Sequence, residues 1–194
     1  MEANVTMIHR STRAQRTERT LGLPGDYLVR PCTGAVTHAI TIRRPRHEVW
    51  PWLLQMGAGR AGWYSYDFID NRGHHSAERV IPELQQVKVG SIMPWLPDAT
   101  EGFMVLSVEP EYCLILCALS PSDGHLIMTW SFVLEEPEPG ITRLIVRARA
   151  GTGYRPPFGL PMWTMKTLVR WGHGIMQRKQ LRGIARRAED THDS

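Results

Sequence analysis

Few residues in this chain are of a type and spacing that could do chemistry, and each group also has an ordinary structural use. The stretch GAGRAGWYSYDFIDNRG, Gly57 to Gly73, opens with glycines at Gly57, Gly59 and Gly62. That spacing, G-x-G-x-x-G, is the fingerprint of a turn that cradles a dinucleotide pyrophosphate at a helix N-terminus. Such a turn needs a strand before it and a long helix after it. Here HEVWPWLLQM before Gly57 has helical periodicity, and an aromatic cluster with a very short helix follows Gly62. Glu83 stands where a ribose-binding acid belongs, but no strand precedes it. The glycines are therefore read as freedom for a tight turn between two short helices. No cofactor is expected.

The residues after those glycines are better candidates. Trp63, Tyr64 and Tyr66 offer flat apolar area with polar tips, which suits the mouth of a cavity. Asp67 beside Tyr66 has the chemistry of a general acid/base pair if both are buried. The structural alternative is that the tyrosines staple short helices to a sheet while Asp67 favours a helix start. Arg60 reads as a partner for Asp67, a contact for a substrate carboxylate, or a surface arginine. His74 and His75 sit near Asp70 and Glu78. A metal needs three convergent ligands, and adjacent loop histidines diverge, so no metal is expected. Ser120, Ser122 and Ser131 lack the elbow or base partner of a nucleophile. Cys113 and Cys117 lie in one strand-like run, roughly 13 Å apart, beyond the roughly 7 Å reach of a disulfide. Free thiols point to a reducing, cytoplasmic location.

The bulk numbers bound the rest. At 194 residues one domain is expected, burying about 70% of its unfolded surface without staples. Net charge is +4 and the pI about 9.2. Only Lys88, Lys166 and Lys179 are lysines, so 20 of the 23 basic residues are arginines. Their clustering near the C-terminus brings no groove-binding motif, so nucleic acid is not expected. A transient contact with an anionic membrane surface is the more natural use. The N-terminus has no apolar core of a secretory signal. The longest apolar run, Tyr112 to Leu119, is far short of a bilayer span.

The elements that must position these residues follow from periodicity. Residues 1–34 read as a flexible arm, in which Arg10, Arg13, Arg16 and Arg19 recur at a spacing of three. AVTHAITI (Ala35–Ile42) has strand composition. RPRHEVWPWLLQM predicts a helix opening near Pro45, and SYDFIDNRG a second, capped by Ser65 and ended by Gly73. A short strand near Ser91–Met93 is followed by strands at Phe103–Glu109, Tyr112–Leu119, His125–Glu136 and Thr142–Ala150. The links PE, SPSDG and PEPG are turn chemistry, and together they describe an antiparallel meander. Period two is plain in LIMTWSFVL, with Met128, Trp130 and Phe132 on one face and Thr129 and Ser131 on the other. In LIVRAR, Leu144, Val146 and Ala148 point inward and Arg143, Arg147 and Arg149 outward. Met162–Asp190 reads as one long helix, with Met165, Leu168, Val169, Gly172, Met176 and Ile184 on its apolar side and Arg178, Arg182, Arg186 and Arg187 mostly elsewhere.

VWPWLLQMGAGRAGWYSYDFIDN, SAERVIPELQQVKVG, TWSFVLE and QRKQLRGIARRAE carry a resemblance to the START-related (SRPBCC) superfamily, over roughly residues 35–189. The motifs are similar to those of a bacterial subgroup within it, and mark that subgroup without marking a reaction. The resemblance implies an α+β helix-grip fold: a curved antiparallel sheet around one long C-terminal helix, enclosing an apolar cavity. It implies a hydrophobic small molecule, lipid or polyketide-like, that is bound or carried. The alternative is a polyketide cyclase or dehydratase-type enzyme, with Tyr66 and Asp67 as its acid/base groups. The cavity wall would then comprise Trp63, Tyr64, Tyr66, Met93, Trp95, Met128, Trp130 and Phe132, closed by Met165, Leu168, Gly172 and Met176 from the helix. Glycine within a helix costs about 1 kcal/mol against alanine, so Gly172 with Gly174 suggests room for a ligand.

Overall fold

The structure is a computed structural model that describes residues 11–151 and 162–190, the side chains of 162–173 excepted. A short helix α1 (Arg16–Thr20) precedes strand β1 (Cys32–Ile42). Helices α2 (Arg46–Leu54) and α3 (Asp67–Asp70) follow, then a single 3-10 turn at Pro82–Leu84. Strands β2 (Ile92–Pro94), β3 (Gly102–Glu109), β4 (Cys113–Leu119), β5 (Leu126–Glu138) and β6 (Ile141–Gly151) form the meander, and α4 (Met162–Asp190) ends the chain.

The strands make one six-stranded sheet in the order β1-β6-β5-β4-β3-β2, antiparallel throughout. Turn-linked neighbours pair locally, and only β1 must reach the last strand. Register shifts interrupt four of the five pairings; each extra residue bends its strand and raises the twist, which curves the sheet. Helix α4 lies against β1 and α2 on the inner side. This is the helix-grip arrangement.

The inner core joins Ile40, Leu114, Leu116, Phe132, Leu134 and Leu144 of the sheet to Trp52 and Leu53 of α2 and Leu181 and Ile184 of α4. A second apolar layer lies on the opposite face, where Ala39, Cys113, Ile115, Val133 and Ile145 meet Ala14 and Leu23. That layer differs from the sequence expectation. Residues 11–31 are laid across the outer face, and the arginines that β6 points outward hold them there. Arg147 is 4% exposed. It pairs with Asp26 and donates to the carbonyls of Leu21 at 2.8 Å and Glu18 at 2.6 Å. Arg143 makes a fork onto Glu18, at 2.7 and 3.0 Å. Alternation put these side chains on the outer face; it could not show that chain would cover them.

Ser65 also departs from expectation. The residue flanking α3 is Tyr66, with no side-chain cap, and the Ser65 hydroxyl instead donates to the carbonyl of Met176 at 3.1 Å. It ties the α3 loop to α4.

Candidate ligand-binding site

Strand register arranges the inner face in rows. At one end Ile40, Leu144 and Leu134 stand side by side. Next come His38, Val146, Phe132 and Leu114, then Val36, Ala148, Trp130 and Leu116, and last Gly34, Ala150, Met128 and Ala118. On β1 and β6 side-chain volume falls along this series, from Ile40 and Leu144 to Gly34 and Ala150, while β5 keeps large side chains throughout. The small members of the later rows are more exposed: Ile40, Leu134 and Leu144 are at most 1% exposed, whereas Val36, Ala118, Ala148 and Ala150 are half-buried, with Leu116, Met128 and Trp130 still buried among them. The face tapers toward a small-residue end bordered by Met128 and Trp130.

Aromatic rings flank that end. Trp63 stacks on Trp130 at 5.5 Å and 24°. Phe103 meets both edge-on, at 5.7 and 5.2 Å, and Trp95 stands edge-on to Phe103 at 6.0 Å. These are the offset and edge geometries that ring quadrupoles favour. The Trp63 indole donates to the Pro94 carbonyl at 3.0 Å and that of Trp130 to Gln177 Oε1 at 2.9 Å. Both polar tips are satisfied, so the rings present hydrocarbon.

The fingerprint glycines build this cluster. Gly57 and Gly62 exchange backbone hydrogen bonds of 3.1 and 2.9 Å, with φ of +126° and +80°. A Cβ on Gly62 would collide with Ser76. The turn reverses the chain after α2 and delivers Trp63 to the inner face.

Of the residues anticipated from sequence, Trp63, Met128, Trp130 and Phe132 come together, and Trp95 joins them through Phe103. Met93 is buried and pairs with Phe103 across β2 and β3. Tyr64 turns away: its hydroxyl donates to the Trp52 carbonyl at 3.2 Å, and burial holds its pKa well above the ordinary phenol value. Tyr66 is 40% exposed at the surface. Asp67 accepts from the Ser76 hydroxyl at 2.5 Å and the Ser76 amide at 3.1 Å, which occupies both its oxygens. Met176 is half-buried. Met165, Leu168 and Gly172 lie in α4, but outside the residues whose side chains are described.

Other groups fall into structural roles. Arg60 caps α2, donating to the carbonyls of Met56 and Leu54 at 3.0 Å each and of Leu84 at 3.2 Å; a cation there also meets the negative end of the helix dipole. Glu78 pairs with Arg186 and Arg187. Among the described residues no three metal-ligating side chains converge. Cys32 is exposed, and Cys113 and Cys117 are buried free thiols. Burial, reinforced by Glu109, pushes Cys113 up to about 12, so it stays an inert thiol. A groove of about 680 Å³ on the outer face is lined by Arg13, Glu18, Arg19, Glu135 and Arg143 together with uncharged residues that include Ala14, Leu21 and Pro137. No described helix is long and apolar enough to cross a membrane.

Sequence reasoning had Ala148 facing inward but passed over Phe103, Ala150, His38 and Gln177. Alternation in FMVLSVE and in LIVRARA held the signal for Phe103 and Ala150. Nothing local marked Gln177 on a helix rich in polar residues.

No family model matches the sequence, and no curated protein matches it. Solved structures similar to it include protein MLL2253 from Mesorhizobium loti, 18% identical, with 79% of this chain and 98% of that one covered and a TM-score of 0.41. The Polyketide_cyc-like protein Cgl2372 from Corynebacterium glutamicum is 17% identical, with coverages of 82% and 96% and a TM-score of 0.38. The Zhui aromatase/cyclase from Streptomyces sp. R1128 is 14% identical, with coverages of 81% and 94% and a TM-score of 0.35.

Proposed function

We propose that the chain binds or carries a hydrophobic small molecule, lipid or polyketide-like, at the small-residue end of the inner face. The observation that supports this most is the taper. Gly34, Ala150 and Ala118 share one row with Met128, and Ala148 stands in the adjoining row beside Trp130, next to stacked indoles whose N–H groups are already bonded. A solid core would place large side chains there, because interiors pack to crystal density. Apolar area without free polar tips favours hydrocarbon at about 25 cal/mol per Å² buried. The surface position of Tyr66 and the Ser76 bonds of Asp67 favour binding over acid/base catalysis.

The exposed face of α4 suits approach to an anionic lipid surface. Arg178, Lys179 and Arg182 are exposed beside Ile175, itself 47% exposed. Clustered cations around an apolar residue bind such surfaces in a salt-dependent way.

Filling the space tests the reading. Ala148→Leu and Ala150→Leu should each weaken a polarity-sensitive hydrophobic dye at least tenfold, with Tm unchanged or raised. Unaltered dye isotherms in both folded variants would refute it.

A further inference from the structure

A buried chain of side-chain hydrogen bonds leads from the aromatic cluster into α4. An indole N–H only donates, so the atom of Gln177 facing Trp130 is its Oε1, at 2.9 Å. That turns the Gln177 NH2 toward Gln180, whose Oε1 accepts at 2.8 Å. The Gln180 NH2 is turned in its own right toward the thioether of Met56, at 3.6 Å, and a thioether is a weak acceptor. Every amide NH2 carries two N–H groups. Among the described residues each of these amides therefore keeps one N–H without an acceptor, on side chains 3% and 2% exposed. Buried donors are ordinarily satisfied, and one left unmade is costly. Gln177 meets Trp130, which stands beside Ala148 at the edge of the small-residue end; Gln180 lies three residues further along α4, against Met56.

We propose that the Gln177–Gln180 amide pair is the polar recognition point of the hollow, and that it donates to a carbonyl oxygen of an otherwise apolar, uncharged ligand: a ketone, ester or amide. This rests on the hollow itself being a binding site. The ligand is an acceptor because the unmatched groups are donors. An uncharged ligand fits best because the inner rows contain no lysine, arginine, aspartate or glutamate, and their one ionisable side chain, His38, stands a row further in than Trp130. A pure hydrocarbon would leave both N–H groups as they are, so the pair discriminates between apolar molecules of equal size.

Two fluorescent probes of similar area separate the possibilities. One is 6-propionyl-2-(dimethylamino)naphthalene, a ketone whose emission moves to the red when its carbonyl accepts a hydrogen bond; the other is pyrene, which has no acceptor. Wild-type protein should bind both, the ketone with emission red of its value in an aprotic solvent. Gln177→Met should weaken the ketone about three- to tenfold, the worth of one net hydrogen bond, and leave pyrene within about twofold. Equal losses for both probes, or none for the ketone, overturn the assignment while the hollow stands. Should Gln177→Met not fold, the wild-type spectrum decides: ketone emission matching an aprotic solvent overturns it too. If neither probe binds wild-type protein, the hollow itself is lost and this assignment with it.

Discussion

The guanidinium of Arg187 lies over the ring of Tyr64, 4.9 Å from its centroid. The same group donates to the Ala77 carbonyl at 2.7 Å and the Gly183 carbonyl at 3.2 Å, and pairs with Glu78 at 2.8 Å. At 7% exposure it is a buried cation on a helix face whose arginines read as solvated. It locks the loop after Gly62 onto α4 and so supports Trp63 from behind. Arg187→Met should cost about 2–3 kcal/mol through unpaired carbonyls and a lost cation–π contact. Arg187→Lys should recover less than half of that, because an ammonium cannot fork. Urea unfolding of both variants measures this.

Gly183 faces the Tyr64 backbone so closely that an added Cβ would overlap its carbonyl oxygen. Glycine to alanine inside a helix ordinarily stabilises by about 1 kcal/mol. At Gly183 the sign should invert, with Gly183→Ala destabilising by about 2 kcal/mol as backbone gives way. Gly174, whose Cβ would stand 4.0 Å from His38, should show the ordinary gain. Paired Tm measurements on the two variants expose the contrast.

Arg147 carries the outer layer. Replacing it with methionine removes the donor of the Leu21 and Glu18 carbonyls and leaves the Asp26 carboxylate with only the Leu23 amide and Arg149. Breaking a pair of this kind costs roughly 3 kcal/mol. Limited trypsin digestion of Arg147→Met should cut first at Arg13, Arg16, Arg19 or Arg30, while the sheet and α4 resist. A digestion pattern like that of the wild type would show that residues 11–31 are held without Arg147, by apolar contact and the Arg143–Glu18 pair.

Asp70 is 7% exposed, and neither of its oxygens has a hydrogen-bond partner among the described residues. Burial first, and Asp67 second, raise its pKa from 3.8 to about 6. The folded state thus holds this proton more tightly than the unfolded chain, so its contribution to stability falls as pH rises from about 4 to 6 and stays low above that. The full penalty is on the order of 3 kcal/mol at 1.36 kcal/mol per pH unit. Asp70→Asn should raise Tm at pH 7.5 and flatten the decline between pH 4 and 6, read from Tm against pH.

Much of the architecture was legible in the chain. Period two in LIMTWSFVL and LIVRAR assigned faces that the register bears out, and the helix Met162–Asp190 has the bounds that its pattern suggested. The three glycines were rightly separated from a phosphate turn, because the elements on either side were of the wrong kind. These are local properties: backbone preference and alternation act over a few residues. What the alternation could not carry is which outward face meets water. Arg147 points outward as expected, yet chain more than 120 residues away in sequence covers it.

The site divides along the same line. Met128, Trp130 and Phe132 were identifiable as large apolar side chains sharing a face, and Trp63 as an aromatic suited to a cavity mouth. Tyr64 and Tyr66 looked equivalent, and only packing shows one buried against α4 and the other at the surface. The sequence alone determined the elements, their order and the inward side of each strand, since those follow from dihedral preference and residue spacing. Only the tertiary structure decided that Ala148 comes into register beside Trp130, that Ala118 and Ala150 flank Met128 in the next row, and that Gln177 lies against the Trp130 indole. Both depend on strand pairing and helix placement across long sequence separations, where small side chains in one strand are informative only beside their neighbours in the next.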